Sequence, residues 1–136
     1  MVALKKLLLL YALFLSLPVL AAGAINPDVT QNNIHQTICV KGYTKTIRPP
    51  STYTTKLKIK QLHAMGLKGS ASDYEEDHLI PLELGGHPTD PANLWPEPWD
   101  DAKKKDKLEN KLHKKVCKGE MTLLEAQDFF SNWKIN

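Results

Sequence analysis

The chain of 136 residues contains only two cysteines, Cys39 and Cys117. Neither belongs to a Cys-x-x-Cys pair, so a cysteine metal site has no spacing to support it, and an even count reads as one disulfide in an oxidising compartment. Such a bridge closes a loop of nearly eighty residues and stabilises the fold by ~4 kcal/mol in the chain-entropy treatment. There is no internal repeat and no low-complexity stretch, which leaves repeat architectures and disordered tails without support. A strong excess of charge of one sign is also missing. Lys+Arg number 18 against Asp+Glu 15, and overall charge therefore says little about partners.

What is present begins with a targeting pattern. Lys5 and Lys6 precede an almost wholly apolar stretch from Leu7 to Leu20, and the small residues Ala21, Ala22, Gly23 and Ala24 follow. The apolar run is short of the ~20 residues a membrane span needs, so a cleaved signal peptide is expected over residues 1–24, with cut sites between Ala21 and Ala24. The remaining residues 25–136 suffice for one small domain with one core. A periplasmic or secreted destination follows. Charge in that domain is unevenly placed: eight lysines lie between Asp100 and Lys118 against Asp100, Asp101, Asp106 and Glu109.

Local patterns set the expected order of elements. The Thr, Ile, Val and Tyr content from Thr37 to Thr54 predicts short extended segments with a turn at Lys41-Gly42 and a stop at Pro49-Pro50. A helix capped by Thr54 or Thr55 is expected next, with Leu57, Gln61, Leu62 and Met65 near one stripe and Gly66 ending it. Tyr74 to Leu84 reads as a strand, the chain reverses at Gly85-Gly86, and Asn93 to Pro98 reads as an extended return, since Pro96 and Pro98 forbid a helix. Leu108, Leu112 and Val116 then recur every four residues on an otherwise charged helix, capped by Asp100 or Asp101 and stopped by Gly119. Thr122 and Glu125 form a capping box for a closing helix that offers Leu123, Leu124, Phe130 and Trp133 for packing.

A strand, a long loop, a second strand and a helix make a ββα unit that carries Asp77-His78, Asn93 and Asp101. A carboxylate can hold a divalent cation through oxygen while an imidazole, titrating near neutrality, takes a proton from water. The block from Glu76 to Pro96, "EDHLIPLELGGHPTDPANLWP", resembles the HNH (His-Me finger, ββα-metal) endonuclease family. Asp77, His78, Gly85, Gly86, Asp90, Asn93 and Leu94 fill the places of that family's pattern in order. The block is also similar to a group of small exported bacterial members, with Lys105-Asp106, Leu108-Glu109, Val116-Cys117 and Ala126-Gln127 extending the likeness.

The resemblance implies a small single α+β domain built round a ββα-metal finger at about residues 74–117, with additional helices and a disulfide. It implies His78 as general base, Asp77 as metal ligand and Asn93 as the residue that fixes the loop or orients the imidazole. The helix lacks the His or Asn of the family's pattern, so the second ligand passes to Asp101, with Asp100 as the alternative, while Lys103 stands where a ligating His could have been. Carboxylate ligands favour Mg²⁺ or Mn²⁺, with Zn²⁺ or Ni²⁺ as alternatives. Lys103, Lys104, Lys107 and Lys111 are expected to contact phosphates of a nucleic acid, DNA ahead of RNA, without reading sequence. The rival expectation is an inactive finger that serves as a binding module for nucleic acid or an envelope protein. Trp95 and Trp99 are expected to pack around the prolines, and His87 to lie on the surface of the turn.

Overall fold

A computed structural model describes residues 23–133; the expected signal segment lies almost wholly outside them. The described chain is a small α+β domain with one two-stranded antiparallel sheet and one disulfide. A 3-10 turn at Gln31–Gln36 leads to α1 (Tyr43–Ile47) and α2 (Ser51–Met65). Strand β1 (Tyr74–His78) pairs with β2 (Leu94–Pro98), and α3 (Trp99–Cys117) and α4 (Leu123–Ser131) complete the chain. In the sheet Tyr74 faces Pro98 and His78 faces Leu94.

The first half departs from the extended pieces expected of it. Between Thr37 and Thr54 the chain forms no strand; it forms the short helix α1 and the start of α2. The turn at Gly42 is real, with φ 85, a value that suits a residue without Cβ. Pro49-Pro50 does not stop a strand but launches α2, because a proline just before the first turn forfeits only an N–H that the helix leaves unpaired. The helix thus begins at Ser51 rather than after Thr54 or Thr55, and Thr54 Oγ1 donates back to the Ser51 carbonyl (3.2 Å) instead of capping. Its end is as expected, at a left-handed Gly66. β-branched content was the misleading signal, since strand preference reflects packing against sheet neighbours and none is present here.

Three later boundaries also shift. β1 ends at His78 instead of Leu84, because the Asn93 side chain takes over the backbone of Ile80 and Leu82–Leu84 coil into a 3-10 turn after Pro81. α3 starts at Trp99, immediately after Pro98, so Asp100 and Asp101 lie in its first turn rather than at the cap. There they complement the helix dipole. The Thr122–Glu125 capping box forms, but Leu124 is exposed while Leu123 and Phe130 are buried.

The core joins the N-terminal segment to the two last helices. Val29, Ile34 and Ile38 meet Leu84, Leu112, Val116, Leu123, Ala126 and Phe130. Cys39 is bonded to Cys117, which ties that segment to the end of α3. On the other side α2 clamps the strands through hydrogen bonds from Lys58 Nζ to the Tyr74 carbonyl (2.9 Å) and from Gln61 Nε2 to the Leu94 carbonyl (2.7 Å). Gly23 and Ala24 belong to the packed chain as well: Gly23 N donates to the Ala92 carbonyl and His87 N to that of Ala24. Replacing both cysteines with serine is expected to cost about 4 kcal/mol of stability by releasing the unfolded chain, read as a lower denaturant midpoint with a slope that is, if anything, steeper.

Candidate functional site

The loop between the strands is fixed from inside by Asn93, whose side chain is fully buried. Its Oδ1 accepts from Ile80 N (2.9 Å) and its Nδ2 donates to the carbonyls of Ile80 and His87 (both 3.0 Å). All these partners are backbone, so Asn93 holds the loop rather than the imidazole of His78. Asp90 adds a turn by accepting from Ala92 N (2.9 Å), and His87 Nδ1 accepts from Thr89 N and Asp90 N. His87 is therefore a half-buried part of the turn. Gly86 has no room for a side chain: a Cβ there would lie 1.8 Å from the Ile80 carbonyl oxygen.

This loop seats His78, which is buried at the end of β1. Its Nε2 lies 2.8 Å from the Pro88 carbonyl. A carbonyl can only accept, so Nε2 carries the proton and the lone pair is on Nδ1. Burial, assisted by the positive charges of Arg48 and Lys105, holds the ring's pKa down at about 4, against the pull of the Pro88 bond. At neutral pH His78 is thus an uncharged imidazole of defined tautomer.

Asp77 has a different neighbourhood, as alternation along a strand requires. Its Oδ2 receives a hydrogen bond from Lys105 Nζ, an ammonium that is completely buried. The same ammonium donates to the His78 carbonyl (2.8 Å) and to Glu109 Oε1 (3.0 Å), and lies 5.3 Å from the centre of the Phe130 ring. Two carboxylates share one ammonium. Burial pushes both up, Asp77 to about 8 and Glu109 to about 7, while attraction to them raises Lys105 despite its own burial. Glu75 and Glu76 are raised by burial as well, to about 7 and about 8. Glu97, opposite Glu75 in the sheet, is fully buried and accepts from Trp133 Nε1 (2.9 Å).

The remaining expected site residues lie on α3. Asp101 is partly exposed, with Oδ1 3.6 Å from Lys104 Nζ. Lys103, Lys104, Lys107 and Lys111 are all exposed, and their spacing makes one ridge along the helix. Trp95 is buried, whereas Trp99 is largely exposed and donates its indole N–H to the Ser72 carbonyl (2.8 Å).

Lys105, Glu109 and Glu97 are participants to which the sequence assigned no role in the site, Lys105 and Glu109 having counted only toward the family likeness. Lys105 was hidden in a lysine run, where a solvated face is the ordinary expectation; the signal available was its position between Ala102 and Leu112 on the buried side of α3. Around Asp77 and His78 no three described His, Cys, Asp or Glu side chains converge on one point, so a closed cage is absent among the described residues. A hydrated Mg²⁺ or Mn²⁺ needs only one or two carboxylates and completes its shell with water and phosphate. The buried Oε2 of Glu75 lacks a hydrogen-bond partner and is an oxygen donor of the kind such an ion takes.

No protein-family model, curated protein or solved structure matches the chain. The functional reading therefore rests on the residues themselves.

Asn93→Ala is expected to destabilise the domain by about 3 kcal/mol, since it strands buried backbone groups of Ile80 and His87. The pH dependence of stability has a definite sign. Glu75, Glu76, Asp77 and Glu109 keep protons to higher pH when folded than when unfolded, so their contribution is present at low pH and is lost as pH rises through about 7 to 8. His78 acts oppositely, but only between about 4 and its unfolded value of 6.5. In EDTA the melting temperature is accordingly expected to fall between pH 6.5 and 8.5, as scanning calorimetry would record.

Proposed function

We propose that this protein is an exported, metal-dependent HNH-type endonuclease that hydrolyses phosphodiester bonds with little sequence preference, acting on DNA ahead of RNA. The observation that carries the reading is the state of His78. Its ring is neutral, its Nε2 proton is committed to Pro88, and Nδ1 is left as the acceptor for a proton from water. Asn93 and the Gly85-Gly86 turn hold that ring's surroundings rigid, which is what a positioned base requires.

In this reading the ββα finger is β1, the loop, β2 and α3. Asp77 and Asp101 would hold Mg²⁺ or Mn²⁺, which when bound supplies charge stabilisation at the phosphate and leaving oxygen. The exposed ridge of Lys103, Lys104, Lys107 and Lys111 would neutralise backbone phosphates and fix the duplex over the strand end without reading bases. The Cys39–Cys117 disulfide suits a periplasmic or secreted setting.

One observation favours a second reading. The Lys105 ammonium already sits on Asp77, which is what a finger retained as a scaffold for binding, without cleavage, would look like. Digestion of plasmid DNA and structured RNA with Mg²⁺, Mn²⁺ or EDTA separates the two. Metal-dependent cleavage that drops at least ~100-fold in His78→Ala is expected. Folded protein that cleaves neither substrate with any ion, or a His78→Ala protein as active as the parent, sinks the nuclease reading; binding without cleavage installs the scaffold. Affinity is expected to fall with added salt, and removing each phosphate-contacting lysine of the ridge should reduce the slope of log K against log salt by about 1.

A further inference from the structure

Away from the strand end, three side chains with an affinity for soft metals meet at one place. Ligand atoms of Cys39, His113 and Cys117 all lie within 4.8 Å of one another. His113 and Cys117 are one turn apart on α3, the spacing that puts two ligands on the same helix face. Nε2 of His113 is 3.5 Å from Cys117 Sγ, while its Nδ1 is 3.6 Å from Glu83 Oε2. A cavity of about 360 Å³ opens beside the group, lined in part by Cys39, Tyr43, Thr44, Glu83 and His113.

We propose that, whenever the disulfide is open, Cys39, Cys117 and His113 bind one thiophilic divalent cation, of which zinc is the representative. Two thiolates and an imidazole are a preferred set for such an ion, and three protein ligands leave a fourth position for water. The cavity supplies that position and a way in. Glu83 supplies the outer contact that ligating histidines require, since a carboxylate beside Nδ1 favours a proton on that nitrogen once the metal takes the Nε2 lone pair. Little backbone travel is needed: the two Cα atoms are 5.7 Å apart, and sulfurs about 2.3 Å from one metal can be reached by side-chain rotation.

The bridge and the metal exclude each other. In the closed state neither sulfur is a thiolate, and His113 Nε2 donates its proton to the Ile38 carbonyl (2.8 Å). A phosphine opens the bridge by giving two electrons to it and taking oxygen from water as phosphine oxide, which leaves two thiols. Metal binding then releases the two thiol protons, and the proton that Nε2 gives to Ile38 moves to Nδ1 beside Glu83. The site stands on observations separate from His78 and does not depend on the nuclease reading.

The test is a Co²⁺ titration of the purified protein, oxidised and phosphine-reduced, with zinc added afterwards. One equivalent is expected to bind the reduced form alone, with thiolate-to-cobalt absorption in the near ultraviolet and tetrahedral d–d bands that zinc abolishes. His113→Ala and Glu83→Gln are each expected to weaken binding at least about tenfold. If reduction unfolds the chain, one equivalent of zinc is expected to restore the far-ultraviolet circular dichroism, because binding to a folded site is folding free energy. No stoichiometric binding to reduced protein, failure of zinc to restore an unfolded one, or undiminished affinity in His113→Ala overturns the proposal.

Discussion

The buried ammonium of Lys105 is the interaction on which the arrangement of the strand end depends. A fully buried charge is tolerated only with close partners, and Lys105 has three: Asp77 Oδ2, the His78 carbonyl and Glu109 Oε1. Those partners come from β1 and from one turn further along α3. The ammonium therefore sets the distance between helix and sheet and holds both residues of the Asp77-His78 pair, one by its side chain and the other by its backbone. Phe130 covers the hub from α4, which connects it to the main core.

This hub divides the labour between two neighbours in sequence. Asp77 is drawn toward α3 and into a shared charge, while His78 is left facing the loop with a proton fixed on the far nitrogen. Two carboxylates share the one ammonium, and burial raises Asp77 and Glu109 despite its attraction. The rigid loop has a matching logic: Asn93 substitutes for a strand neighbour exactly where pairing stops, so the chain can turn sharply at Gly85-Gly86 without leaving backbone groups unsatisfied.

Much of the second half was legible because its signals are local or few. Two cysteines permit only one internal bridge, the capping box at Thr122 and Glu125 acts within one turn, and prolines at 96 and 98 forbid a helix there. The first half misled because Thr, Ile, Val and Tyr favour a strand only where a sheet receives them, and the segment instead forms α1 and the start of α2, tied to α3 at Cys39. His113 was passed over for a related reason. Its spacing to Cys117 is visible in the sequence, but its approach to Cys39 exists only once the bridge has brought distant residues together.

By itself the sequence determined where the hairpin and the last two helices lie, which cysteines pair, and which block carries Asp77, His78 and Asn93, since each follows from neighbours a few residues away or from a count. Tertiary structure alone decided that Lys105 is buried among carboxylates, that Asn93 serves the loop, and that His78 keeps its lone pair on Nδ1. Those outcomes depend on desolvation and on partners far along the chain, as from Asp77 to Lys105, and a local pattern contains neither.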